Sequence, residues 1–145
     1  MPNRLYLLRH AEAADSVPDE TRPLTPEGIR DMKAGAKALA QAAPDVQRIL
    51  TSPLLRARQT AEIAGKALGL KPELWESLRP GRKPVLPKEI ALLVGHAPGL
   101  DQVAQELTGA RIALRKGGAC CLEGDLLDWL LTPRQLRLLA RRKGG

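Results

Sequence analysis

Histidine occurs at two positions only, His10 and His96, and each directly follows a short apolar segment: Leu5–Arg9 leads into the first, Ile90–Gly95 into the second. In open α/β sheets ligands bind in the crevice beyond the carboxyl ends of the strands, so two such strands lying side by side would aim both imidazoles into one pocket. Arg9 adjoins His10, and Arg56 stands one helical turn inside a helix predicted to follow another strand, so both can reach the same crevice. The planar donor forks of two guanidiniums suit a tetrahedral dianion such as phosphate. A metal fits worse, because two histidines beside two cations make a poor cage for a divalent ion and neither lies in an HExxH or carboxylate cluster. The glycines form no GxGxxG or GxxxxGK[ST] pattern and Ser52 lacks a GxSxG setting, which removes support for dinucleotide, Walker-type and serine-hydrolase sites.

These side chains need a frame to hold them. Leu5-Tyr6-Leu7-Leu8 reads as a strand buried on both faces. After a polar loop through Asp19 and Glu20, Thr25 is expected to cap a helix with Pro26 at its first position. Ile29, Met32, Ala36 and Leu39 then recur at helical spacing, and the helix should end near Ala43-Pro44. Arg48–Thr51 reads as a second strand, Ser52-Pro53 repeats the cap-then-proline pattern, and a helix from Leu54 to about Leu68 is closed by Gly69. Pro72, Pro80, Pro84 and Pro87 leave 71–88 as the main irregular loop, with a short extended piece around Leu74-Trp75. Ile90–Val94 is the clearest buried strand, followed by a helix from about Leu100 to Leu107 that Gly109 closes. Ala119–Leu122 and Leu126–Leu131 flank Glu123-Gly124-Asp125 as a hairpin, and Thr132-Pro133 opens a last helix. This alternation predicts an α/β fold, a three-layer α/β/α sandwich whose mostly parallel sheet carries one antiparallel edge pair, in a single catalytic domain over 1–145.

With 145 residues, 43% hydrophobic and 27% charged, the chain has the composition of one ordinary globular domain. No apolar run approaches the roughly 20 residues of a membrane-spanning helix. The apolar stretch after Met1-Pro2-Asn3-Arg4 is broken by Arg9 and His10, unlike a signal peptide, so a cytoplasmic protein is expected. Cys120 and Cys121 are adjacent and on a strand would face opposite sides, which suits a reducing compartment and not a disulfide. The chain has no phenylalanine and only 2% aromatic residues, which argues against stacking recognition of single-stranded nucleic acid. Of the formal charge of +7, Arg134, Arg137, Arg141, Arg142 and Lys143 supply five near the C-terminus, and the rest is nearly balanced. That pattern reads as a solvated basic helix before it reads as a nucleic-acid footprint.

Three segments carry a family resemblance. Leu7-Leu8-Arg9-His10-Ala11-Glu12-Ala13 resembles the signature of the histidine phosphatase superfamily, Ser52-Pro53-Leu54-Leu55-Arg56-Ala57-Arg58-Gln59-Thr60-Ala61 resembles its second motif, and Val94-Gly95-His96 its third. Arg22-Pro23-Leu24-Thr25 with Gly28, and the stretch from Trp129 to Pro133, extend the likeness over nearly the whole chain. The short length and the Arg-Pro-Leu-Thr element are similar to the small bacterial phosphohistidine phosphatases.

The resemblance implies a phosphoglycerate mutase-like fold and a division of labour. His10 would be the nucleophile, transiently phosphorylated before water removes the group, with its second ring nitrogen donating to a backbone carbonyl. Arg9, Arg56 and a partly protonated His96 would clamp the phosphoryl oxygens. No cofactor or metal would be needed. Many members place an acid after the second motif, where Glu76 is the candidate proton donor and Ser77 the alternative occupant. Ala11 stands where much of the superfamily has glycine. Weak acid assistance suits a phosphoramidate, so the expected substrate is phosphohistidine on a partner such as a histidine-containing phosphotransfer domain. A small phosphate ester or phosphoanhydride is the alternative substrate, and a phosphate-sensing module without turnover is the alternative of another class.

Overall fold

Four helices and five strands form where the pattern requires them, and a two-residue strand and two 3-10 turns join them. The structure, a computed structural model, describes residues 3–144, with side chains to Arg141, so Arg142 and Lys143 of the basic tail lie outside the described side chains. The elements are β1 (Arg4–Arg9), α1 (Pro26–Ala42), β2 (Arg48–Thr51), α2 (Leu55–Leu68), β3 (Glu73–Leu74), β4 (Ala91–Gly95), α3 (Gly99–Thr108), β5 (Ala119–Glu123), β6 (Leu126–Leu131) and α4 (Pro133–Gly144). Single 3-10 turns at Asp19–Thr21 and Glu76–Leu78 lie in the two loops that carried no periodicity.

The sheet order is β3-β2-β4-β1-β5-β6. β1, β2, β3 and β4 pair in parallel, while β5 runs antiparallel to both β1 and β6. The predicted α/β sandwich with an antiparallel edge hairpin is therefore the observed fold. Because successive residues of a strand face opposite sides, β1 sends Tyr6 and Leu8 into one core and Leu5 and Leu7 into the other. The first core lies under α1, α2 and α4 through Met32, Leu39, Ala57, Ala61 and Leu136. The second lies under α3 and the loops, through Leu78, Leu100, Val103 and Leu114. Cys120 and Cys121 divide between the two cores as free thiols. Burial pushes their pKa values up to about 12 and about 11, so both stay protonated at neutral pH.

Local chemistry sets the helix ends. Thr25 Oγ1 accepts from Gly28 N at 3.0 Å with Pro26 at the first position, as expected. Thr132 Oγ1 accepts from Gln135 N at 3.1 Å while Gln135 Oε1 accepts from Thr132 N at 2.9 Å, a reciprocal cap on α4. Gly69 and Gly109 close α2 and α3 in the left-handed conformation. The expected Ser52 cap is corrected: α2 starts at Leu55, and its N-cap Leu54 makes no side-chain bond. β3 covers Glu73–Leu74, one residue earlier than the extended piece expected around Leu74-Trp75. No helix among the described residues is long and apolar enough to cross a membrane.

Two features of this frame bear on the site. The register of β1 and β4 pairs Leu8 with Val94 and Arg9 with Gly95, so the chain leaves both strands at one level. The segment after β1 is then fastened to the start of α1, where Thr25 N donates to Glu12 O at 3.0 Å and Ala14 N to Pro23 O at 2.8 Å. Gly28 permits this approach, because a Cβ there would stand 2.3 Å from Glu12 O.

Candidate active site

The first residues beyond β1 and β4 are His10 and His96, whose ring centroids lie 5.3 Å apart. Both rings are buried, at 6% and 5% exposure. His10 Nδ1 is 2.7 Å from Ala11 O, and since a carbonyl can only accept, that nitrogen carries the proton and Nε2 keeps its lone pair. Burial, reinforced by the charges of Arg56, Arg9 and Lys116, lowers its pKa to about 4 against the opposing pull of the Ala11 carbonyl. The ring is a neutral base at pH 7, the state in which an imidazole is a nucleophile.

His96 Nε2 is 2.8 Å from Ser52 Oγ. Burial, then the neighbouring His10 and Arg56, lower its pKa to about 3, with Asp19 opposing. In the free site this lowering runs against the partial protonation expected for His96.

Arg56 sits in the first turn of α2 and is 6% exposed. Its Nη1 donates to Asp19 O at 2.9 Å and its Nη2 to Asp19 Oδ2 at 3.3 Å. Hydrogen bonding from Arg22 and the charge of Arg56 hold the Asp19 carboxyl below the usual carboxylate range. Half-buried Arg9 donates from Nη1 to Leu114 O at 2.9 Å. The fully buried Thr60 hydroxyl ties these parts together, accepting from Ala11 N at 3.0 Å and donating to Arg56 O at 2.8 Å.

Three buried side-chain polar atoms among the described residues find no hydrogen-bond partner: Arg9 Nε, Arg56 Nε and His96 Nδ1. All belong to the residues singled out by type and position. Unsatisfied buried polar atoms are rare because each carries its full desolvation penalty, so two such guanidinium nitrogens and an imidazole nitrogen on these residues suit an anion. An anion bound among these residues would supply the acceptors that the guanidinium nitrogens lack.

Glu76 makes none of these hydrogen bonds. It is exposed, accepts from Arg79 Nε at 2.7 Å and lies 3.9 Å from Arg82 Nη1. These arginines hold its carboxyl below the usual range, so in the free protein the expected proton donor is an ionised rim residue. It lines an outer cleft of about 520 Å³ with Asp19, Glu20, Leu54, Arg79 and Arg82. Ser77 Oγ accepts from Val85 N at 2.8 Å, a loop-fastening contact. Asp19, Ser52 and Thr60 were not read as site residues from sequence. Their local signals were Asp19 three residues before Arg22, Thr60 one turn after Arg56, and the place of Ser52 and Thr60 within the second family motif.

Residues 5–80 match the family model of the histidine phosphatase superfamily, branch 1. The chain belongs to the histidine phosphatase superfamily. An uncharacterised protein of Picosynechococcus sp. is 39% identical over 133 residues, covering 79% of this chain and 81% of that protein. The phosphohistidine phosphatase SixA of Escherichia coli is 38% identical over 68 residues, covering 46% of this chain and 42% of that protein. Among solved structures, the protein histidine phosphatase SixA complexed with tungstate superimposes with a TM-score of 0.80 at 23% identity, covering 92% of this chain and 99% of that one. The fold of this chain is therefore that of SixA, and its family places it among the phosphatases.

Proposed function

We propose that this histidine phosphatase hydrolyses phosphohistidine on a partner protein, such as a histidine-containing phosphotransfer domain, through a phosphorylated His10, in the cytoplasm and without a metal. The observation that carries the reading is the set of unpartnered buried donors, Arg9 Nε, Arg56 Nε and His96 Nδ1, beside a neutral His10. In the first step His10 Nε2 bonds to phosphorus as the bond from phosphorus to the substrate nitrogen breaks. In the second, water attacks the phosphorylated His10 and loses a proton, releasing inorganic phosphate and restoring the imidazole.

The leaving group supports the choice of substrate. Phosphohistidine can be protonated on its distal nitrogen and depart as a neutral imidazole, whose conjugate acid has a pKa of about 6.5, whereas an alkyl ester must expel a strongly basic alkoxide. With Glu76 held ionised by Arg79, acid assistance is weak, which an imidazole tolerates and an alkoxide does not. The name of the E. coli relative points the same way. Two free cysteines facing opposite cores suit a reducing compartment.

The test is phosphate release from phosphohistidine on a phosphotransfer domain, beside an aryl phosphate, in EDTA, with His10→Ala as control. Release that survives EDTA, is faster on phosphohistidine and is lost in the variant is the expected result. Turnover by His10→Ala would overturn the assignment of the nucleophile. Preference for the aryl phosphate would favour a small ester, and phosphate binding without turnover a sensing module.

A further inference from the structure

Ser52 is fully buried at the end of β2 and caps no helix. Its Oγ accepts from Leu54 N at 3.3 Å and lies 2.8 Å from His96 Nε2. A hydroxyl has one proton to give, and among the described residues these are its two hydrogen-bond partners. Leu54 N is a donor, so the serine proton has one acceptor to go to, the lone pair of His96 Nε2. Were Nε2 protonated instead, Oγ would receive two donors and its own proton would be buried unsatisfied.

An accepting Nε2 places the single proton of a neutral imidazole on Nδ1, the His96 nitrogen that is buried without a partner. We propose that Ser52 is a positioning residue that fixes His96 as its neutral Nδ1–H tautomer, turning a hydrogen-bond donor toward the phosphoryl group. The tautomer follows from the hydrogen bonds alone; its use on a phosphoryl group rests on the function proposed above. Both site histidines then carry their proton on Nδ1 but present opposite faces of the same chemistry. His10 spends its Nδ1–H on Ala11 O and offers a lone pair, whereas His96 spends its lone pair on Ser52 and offers its N–H. Nucleophile and oxyanion donor are obtained from one residue type with no charge on either. The groups facing His96 agree: His10, Arg56 and Arg9 disfavour a second proton, and Asp19 alone favours it.

The tautomer is read directly by long-range proton–nitrogen correlation of the imidazoles in the uniformly 15N-labelled protein at pH 7, without substrate. The expected spectrum shows His96 Nδ1 pyrrole-like and Nε2 pyridine-like. The reverse pattern, or two protonated nitrogens, overturns the proposal. In Ser52→Ala the preference should weaken or invert, and inorganic phosphate should bind about tenfold more weakly, matching the loss of one donor to an anion. An unchanged tautomer and unchanged phosphate affinity in that variant would also overturn it. The assignment of His10 is tested separately, because turnover by His10→Ala would remove the proposed function and leave the His96 spectrum as it is.

Discussion

A histidine buried beside Arg9 and Arg56 gains nothing from a second proton, and this sets the acid limit of the enzyme. With His10 at about 4, kcat/KM corrected for substrate ionisation should stay flat from pH 7 to about 5 and fall only near pH 4. A limb centred near the ordinary histidine value of about 6.5 would show that the ring is not shielded in this way. His10→Ala should lower turnover at least about a thousandfold, as removal of a nucleophile does elsewhere. Asp19→Ala should lower kcat/KM by at most about fivefold in steady-state assays, because an exposed carboxylate contributes little and the Asp19 carbonyl still holds Arg56. His10, His96, Arg9 and Arg56 could be singled out in the sequence because they stand at strand ends or in the first turn of a helix, positions that periodicity locates. Asp19 was not, since its contact with Arg56 spans 37 residues from a 3-10 turn that has no periodic pattern. Ser52 was misread because serine before proline matches a commoner motif, the helix cap.

Among the elements, α1 does more for the site than cover the sheet. Its first turn holds the segment that follows His10, and the approach is so close that Gly28→Ala would force a Cβ onto the Glu12 carbonyl. That change should destabilise the protein by about 1–3 kcal/mol in denaturant titrations and depress activity in the fraction that remains folded. The fold was readable at this scale wherever an element was long. Continuous apolar runs gave β1, β2 and β4, and Thr25, Gly69, Thr132 and Gly109 marked helix ends with the right chemistry. The two residues of β3 and the two 3-10 turns are too short for any period to appear, so the loop around Glu76 was the least legible part. That loop also holds the expected proton donor, whose ion pair with Arg79 no periodic pattern announces.

For the molecule as a whole, both histidines link stability to pH. In the unfolded chain each would titrate near 6.5, whereas in the folded protein the values are about 4 and about 3. Between these limits the unfolded state binds more protons, so stability present above pH 6.5 is lost as the pH falls toward 4. Urea midpoints measured from pH 7 to pH 4 should fall, and His10→Ala should flatten part of that slope. The basic C-terminal helix also has a structural role. Leu136 is fully buried against the α1 side of the core and Arg137 lies 3.6 Å from Asp31, so Leu136→Ala should cost about 2–5 kcal/mol of unfolding free energy in the same titrations. One feature of the catalytic strand reaches further. The amides of Arg9, His10 and Ala11 donate to Gly118 O, Gly95 O and Thr60 Oγ1, partners drawn from the stretch before β5, from β4 and from α2. Those three hydrogens should therefore exchange slowly for deuterium. The backbone at His10 is thus anchored to three separate parts of the fold. A core mutation would then show itself as fewer working molecules, each turning over at its normal rate.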